Sequence, residues 1–275
     1  MTPLQTLFEA PGSPPPWPLP EALSQLYGSL SFSPRPDGPL VLGNFVSTLD
    51  GVVSLASGQS GGAAISGHSQ QDLMLMGLLR AVADVVIEGA GTLRAAPKSI
   101  LTAAHVYPAL AEAYAEFRQR LGKAAQPLNV IVSESGDLDL SLRLFQSGEV
   151  PVLILTGNKG AERLATAGLP PKVKLEVVAG EERLEGAALI AAMDLSPGTV
   201  VVAEGGPHLL GALLKGHCLH ELFLTLAPQV AGRDGIAQRP GFVAGQLLAP
   251  EDPRWGSLVG VKKGGEHLFL RYKFS

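Results

Sequence analysis

The sequence predicts an α/β fold with a mainly parallel central sheet and an antiparallel C-terminal edge. Short apolar strand patterns alternate with helical patterns from Leu40 onward, which argues for parallel pairing through helical crossovers. The chain then ends in strand after strand with no helix between them, which argues for antiparallel pairing at one sheet edge. A β-branched run, Val200-Val201-Val202-Ala203, passes through Glu204-Gly205-Gly206 into a helical pattern opened by Pro207 and closed by Gly216. Proline suits the first helical position and glycine the exit.

Residues 1 to 39 hold ten prolines. They read as extended or wrapping chain, because proline fixes φ and removes a donor, with one short helix at Glu21 to Tyr27. The boundary predicts a Pro-rich N-terminal segment, 1–39, and one globular domain, 40–275. Leu40 to Ser47 reads as a buried strand leading into Thr48-Leu49-Asp50-Gly51, a turn. Ser57 to Gly67, rich in Gly and Ser, reads as a loop. Ser69-Gln70-Gln71-Asp72 is a capping-box pattern before Leu73, Met76, Leu79 and Val82, which share a helical face. Asp84 to Glu88 is a strand running into Gly89-Ala90-Gly91-Thr92, a second strand–glycine turn. A helix is expected over Tyr107 to Leu121. Strands are expected at Leu128 to Ser133, Val152 to Thr156 and Val173 to Val178, with helical segments near Gly160 to Ala167 and Glu181 to Met193. Glu221 to Ala227, Gly256 to Val261 and His267 to Phe274 complete the strands.

With 275 residues and 46% hydrophobic content, the chain is large enough for a substantial core. Its net charge of −4, with 17% charged residues, gives no nucleic-acid footprint, which would need a basic patch or stripe. The lone Cys218 rules out an internal disulfide and a multi-cysteine metal site. His217, Cys218 and His220 cluster before a strand but lack a fourth ligand, so no metal is expected. No apolar run approaches the roughly 18 residues of a membrane span, and the N-terminus lacks the basic-then-apolar order of a signal peptide. These readings favour a cytoplasmic protein with neither nucleic-acid nor membrane partners.

Two glycine turns that each end a strand suit a ligand with several phosphates. Glycine lets the backbone approach closely, and a helix N-terminus offers free N–H groups and a positive dipole end. The standard dinucleotide fingerprint fails: Arg94 stands where the third glycine of G-x-G-x-x-G belongs, and no suitably placed acidic strand end follows. P-loop and zinc-deaminase patterns are also missing. The residue chemistry alone leaves a phosphate cradle and an ordinary tight turn as alternatives.

Four motifs in order resemble the reductase domain of the bifunctional riboflavin-biosynthesis deaminase/reductase, a dihydrofolate-reductase-like three-layer sandwich. They are Asn44-Phe45-Val46-Ser47-Thr48-Leu49-Asp50-Gly51, Leu78-Leu79-Arg80-Ala81 with Gly89-Ala90-Gly91-Thr92, Glu204-Gly205-Gly206-Pro207, and Glu221-Leu222 through Ala227-Pro228 and Gly232. The resemblance covers roughly residues 40 to 274 and implies a stand-alone relative without the deaminase half. It implies NADPH-dependent reduction of a phosphoribosylamino-pyrimidine, with the ribose opened to a ribityl chain. By the same resemblance Val46, Gly89, Gly91, Thr92, Gly205, Gly206, Pro207, His208 and Leu209 would hold the cofactor. Asp50, Ser60, Arg80 and Glu204 would lie on the substrate side, with Glu204 the candidate catalytic group. A homodimer is implied as well.

Two departures from the family pattern stand out. No carboxylate occurs between Thr92 and Lys98, where the family carries Asp-Pro, and His220 replaces the Asp before Glu221. They leave two alternatives open: a same-fold reductase for another substrate such as a pterin, or a non-catalytic nucleotide-binding relative. For a 2′-phosphate, Thr92, Arg94 and Ser133 are candidates, and Arg94 or Lys98 suits a substrate phosphate.

Overall fold

In a computed structural model, residues 1–33, 35–55, 61–178, 183–236 and 239–274 are described. Ten strands form one mixed sheet in the order β1-β9-β10-β8-β2-β7-β3-β4-β5-β6. The parallel part comprises β2 (Leu40–Ser47), β3 (Val85–Gly89), β4 (Leu128–Val132), β5 (Val152–Thr156), β6 (Val173–Val177), β7 (Val200–Ala203) and β8 (Glu221–Leu226). The antiparallel edge follows β8 through β10 (His267–Phe274), β9 (Gly256–Gly264) and β1 (Gln5–Glu9). This is the mixed sheet that the strand pattern predicts.

Helices cover both faces and make three layers. One face carries α1 (Glu21–Tyr27), α3 (Gln70–Val82) and α6 (Ala111–Arg120), whose Leu23, Leu78 and Phe117 share a core with Leu42, Val86 and Val202. The other carries α9 (Gly186–Ala192) and α10 (Pro207–Lys215), whose Leu189, Leu210 and Leu213 pack on Val41, Ile87 and Val201. Alternate residues of β2, β3, β4, β5 and β7 feed the two cores. These strands therefore read as continuous apolar runs rather than as alternating ones.

Four local features differ from the sequence reading. The Pro-rich leader contributes a strand: β1 adds to β9, with Gln5 opposite Lys263 and Glu9 opposite Gly260. All five β1 side chains are exposed, so no buried pattern marks it. The expected Tyr107–Leu121 helix is interrupted. Pro108 opens a 3-10 turn over Pro108–Leu110, and Leu110, at φ −117° and ψ 19°, breaks the path before α6. The Ser57–Gly67 loop contains a helical turn, α2 (Gly61–Ile65), while 57–60 lie outside the described residues. The expected 181–193 helix starts only at Gly186. There α9 presses so close to α10 that a Cβ would strike the Ala212 backbone.

The placement of α3 sets up the site. Ser69 caps its start by accepting from the Asp72 N–H at 3.3 Å, as the capping pattern predicts. At its other end the Arg118 guanidinium of α6 donates to the carbonyls of Arg80, Ala81 and Ala83, satisfying acceptors a helix end leaves free. Gly77 lets the Tyr114 ring of α6 lie directly against the helix, and the Tyr114 hydroxyl donates to the Met74 carbonyl.

Candidate active site

The β3 and β7 strands are neighbours, with Ile87 opposite Ala203. Their glycine turns, far apart in the chain, therefore meet. The Gly89 N–H donates to the Gly205 carbonyl at 3.3 Å, and the Glu204 N–H donates to the Ile87 carbonyl at 3.0 Å. Each turn opens a helix: α4 (Ala90–Ala95) after Gly89, and α10 after Gly206. Gly206 sits at φ +80°, a left-handed position that favours glycine. Gly205 is needed for a different reason, since a Cβ there would land on the Thr92 side chain. A Cβ at Gly206 meets nothing nearer than 3.8 Å, so it would project into open space beside the turn.

That space is a cleft of about 670 Å³ at the carboxyl ends of β2, β3, β4 and β7. It is within the roughly 300–1,000 Å³ usual for small-molecule and cofactor sites. All nine residues expected at the cofactor, from Val46 through Thr92 to Leu209, line it. Further wall residues lie outside the expected cofactor set: Asn44, Asp72, Met76, Glu134 and Arg183, together with Pro240 and Ala244 to Gln246. The last segment leans on α10, where the Ala244 N–H donates to the Pro207 carbonyl and the Arg183 guanidinium donates to the Gly245 carbonyl.

Beneath the glycine turns lies a buried ion pair. Arg80 Nε and Nη2 grip both oxygens of Glu204 at 2.7–3.0 Å, and the two side chains are 5% and 2% exposed. The remaining Arg80 nitrogen, Nη1, donates to the carbonyls of Ile100 and Thr102. A planar guanidinium gripping a carboxylate in this forked way fixes direction as well as distance. Glu204 still reaches the cleft wall, whereas Arg80 serves Glu204 and the backbone. Glu88, one strand over, is 3% exposed and its Oε1 has no partner. Burial pushes its carboxyl up to about 8, against the pull of the nearby Arg80 and helped by repulsion from Glu204.

Asp50 is committed elsewhere. Its carboxylate accepts from the Thr48 hydroxyl at 2.6 Å and from the Ala231 and Gly232 N–H groups. These bonds, the Thr48 one foremost, hold it well below the usual carboxylate range and tie the 48–51 turn to the 228–233 segment. Ser60, the remaining substrate-side expectation, lies outside the described residues. The His217-Cys218-His220 cluster is used locally. Nδ1 of His220 accepts the Val41 N–H at 2.9 Å, and burial pushes its imidazole down to about 4, while the Cys218 thiol donates to the Gly216 carbonyl. Among the described residues no group of three His, Cys, Asp or Glu converges as a metal site.

Sequence reasoning missed Asp72, Glu88 and Arg183 as occupants of this region. For Asp72 a signal was available: Asp72, Met76 and Arg80 recur at i, i+4 and i+8 on one helix face. Glu88 was visible as a lone charge in an apolar strand.

The fold and cleft define an α/β protein whose site opens at the carboxyl ends of parallel strands, at a place where helices on the two faces diverge. The chain belongs to the RibD C-terminal domain family, whose profile matches residues 39–256. It is similar to the 2,5-diamino-6-ribosylamino-4(3H)-pyrimidinone 5′-phosphate reductase of Archaeoglobus fulgidus, at 26% identity over 198 residues covering 71% of this chain and 84% of that protein. Among solved structures, a pyrimidine reductase-like protein from Corynebacterium diphtheriae shares the fold at TM-score 0.67 and 22% identity, over 92% of this chain and 98% of its own. RibD of Acinetobacter baumannii shares it at TM-score 0.61 and 20% identity, over 86% of this chain but 58% of its own.

Proposed function

We propose that this protein is an NADPH-dependent reductase of a phosphoribosylamino-pyrimidine intermediate in riboflavin biosynthesis. The observation that carries the reading is the meeting of two glycine turns over a buried Arg80–Glu204 pair in one cleft. Family membership and the named activity of the Archaeoglobus fulgidus relative support it.

The cradle fits a dinucleotide on its geometry. Gly206 leaves backbone bare where phosphate oxygens must come close, and the first turn of α10 points its free N–H groups there. Thr92 and His208 flank the turn. Ser133 and Ser135 at the end of β4, with Arg94 and Arg183, supply hydroxyls and cations for a 2′-phosphate. When bound, NADPH supplies the hydride. The chain's own residues orient and desolvate: Val46, Leu209 and Met76 provide apolar wall, and Glu204, fixed by Arg80, presents carboxylate oxygen toward the sugar hydroxyls. A group held this rigidly contributes through positioning. We place the protein in the cytoplasm as a homodimer. In support, no described helix is long and apolar enough to cross a membrane. Leu7 and Phe8 on β1 and Leu258 on β9 are exposed apolar residues, and the β1 edge is suited to a second copy.

The test is oxidation of NADPH in the presence of the ribosylaminopyrimidine phosphate, with titration calorimetry for cofactor binding. Turnover with NADPH and little with NADH is expected. Comparable turnover of a dihydropterin instead would move the substrate. Tight binding of NADPH without turnover of either would mark a non-catalytic relative.

A further inference from the structure

The carboxyl of Asp72 has no part in the function proposed so far, yet it stands in the cleft wall. It comes from the first turn of α3, on the face that also carries Met76 and Arg80. Eight residues of helix set Asp72 about 12 Å from Arg80 along the axis. The helix thus lays one acid and the Arg80–Glu204 pair along a single wall. Asp72 is 8% exposed. Four elements besides its own helix face it. Thr225 on β8 turns a fully buried hydroxyl, without a partner in strict hydrogen-bond geometry, toward the carboxyl. Ser66, whose hydroxyl donates to the Ala63 carbonyl, bears on it from the turn before α3, and His267 approaches from β10, its Nε2 2.9 Å from the Ser66 carbonyl. Glu204 bears on it from β7, with Arg80 and Glu88 behind.

An acid in the first turn of a helix is ordinarily favoured in its charged form by the dipole. Here desolvation outweighs that effect and raises the Asp72 carboxyl above the ordinary range. Thr225, Ser66 and His267 pull the other way, and Glu204 adds repulsion. A carboxyl at a cleft wall whose burial tightens its hold on the proton is suited to general acid work.

We propose that Asp72 is the catalytic acid that opens the ribosyl ring, an assignment that rests on the ribosylaminopyrimidine reading. In this step the C1′–O4′ bond breaks, its electron pair stays on O4′, and O4′ takes the Asp72 proton. The lone pair of the exocyclic nitrogen forms the C=N bond to C1′. The N–H proton leaves to the Asp72 carboxylate, so the acid is restored and no co-reactant is consumed. Both proton sites hang on C1′, and the two oxygens of one carboxyl hang on one carbon. A single side chain therefore spans donor and acceptor. The product is an open-chain imine at C1′, ready for reduction in the same cleft.

The test compares wild type, Asp72→Asn and Asp72→Glu in the full chain. Expected for Asp72→Asn is a kcat lowered by about 10² to 10³-fold, with NADPH affinity within about twofold and KM changed far less than kcat. The thermal midpoint should stay level or rise, because an amide replaces a desolvated acid. The wild-type kcat should fall as pH rises through the Asp72 titration. The Asp72→Asn profile should lose that limb, Asp72→Glu should recover part of the rate, and Glu88→Gln should leave the limb in place. An active wild type matched by Asp72→Asn, or an Asp72→Asn profile that keeps the limb, overturns this assignment alone. A wild type inert toward the ribosylaminopyrimidine overturns the parent reading and the assignment with it.

Discussion

The two glycine turns look alike in sequence and do different work in space. At β7–α10, Gly206 is required by its own backbone, at φ +80°, and Gly205 by the Thr92 side chain lying against it. At β3–α4, Gly89 has φ −85°, open to any residue, and a Cβ there would meet nothing nearer than the Gly205 carbonyl oxygen at 3.8 Å. A Cβ at Gly91 would have only the tip of Arg94, at 4.0 Å. The helices differ too: α10 runs nine residues with a buried apolar face, α4 only six. One turn is a rigid cradle, while the other is a partner that supplies Thr92 and a bounding wall. Glycine content alone therefore does not measure a phosphate site. What matters is which glycines the geometry forbids from being anything else.

Substitutions sharpen this contrast. Gly205→Val should be the most damaging, because the new side chain displaces Thr92. A loss of about 3 kcal/mol in chemical denaturation is expected, along with NADPH affinity down by more than about 100-fold. A well-folded variant that binds normally would show that the turns do not form one cradle. Glu204→Gln leaves Arg80 facing a neutral amide inside the protein. It should cost about 3 kcal/mol and lower turnover about 100-fold through lost positioning, while the cofactor dissociation constant holds. Unaltered turnover would remove Glu204 from the site. Gly206→Val should weaken NADPH binding about 30-fold, about 2 kcal/mol, and cost about 1 kcal/mol of stability through backbone strain.

The two buried carboxyls under the turns offer a pH test of the same region. Glu204 has its guanidinium, whereas Glu88 has none and titrates near 8 against an ordinary 4.5. Between those values the folded chain holds a proton that the unfolded chain has released. Stability therefore falls as pH rises, by up to about 1.4 kcal/mol per unit, and levels off above about 8. Glu88→Gln should remove that slope in thermal melts taken across the window, so the variant gains on wild type toward pH 8. Parallel curves for the two proteins would mean that Glu88 is solvated. The smallest effect belongs to Gly91→Ala, within about 0.5 kcal/mol of wild type and near wild-type cofactor affinity.

Much of the fold is legible in the sequence because its signals are local. The β2 and β5 boundaries follow from apolar runs closed by turn residues, and α3 and α10 from a capping serine and an N1 proline. The β1 strand is not legible, since Gln5–Glu9 buries no side chain and exists only by pairing with β9, near the other end of the chain. The site divides in the same way. The glycine turns announce themselves, but the Arg80–Glu204 grip spans 124 positions, and no pattern in either segment implies it. Asp50 shows the converse: its Asp-Gly turn is plain in sequence, while the bonds to Ala231 and Gly232 that occupy its carboxylate are long-range. Asp72 reads in sequence as part of a helix cap, which its N–H serves, while its side chain faces the cleft.

The most direct test is a steady-state assay of NADPH oxidation with the ribosylaminopyrimidine phosphate, run beside Gly206→Val. The account predicts substrate-dependent oxidation by the wild type, yielding the ribityl product, and a raised NADPH KM for the variant. Tight NADPH binding with no ribityl product, or a variant with unchanged NADPH KM, would contradict it.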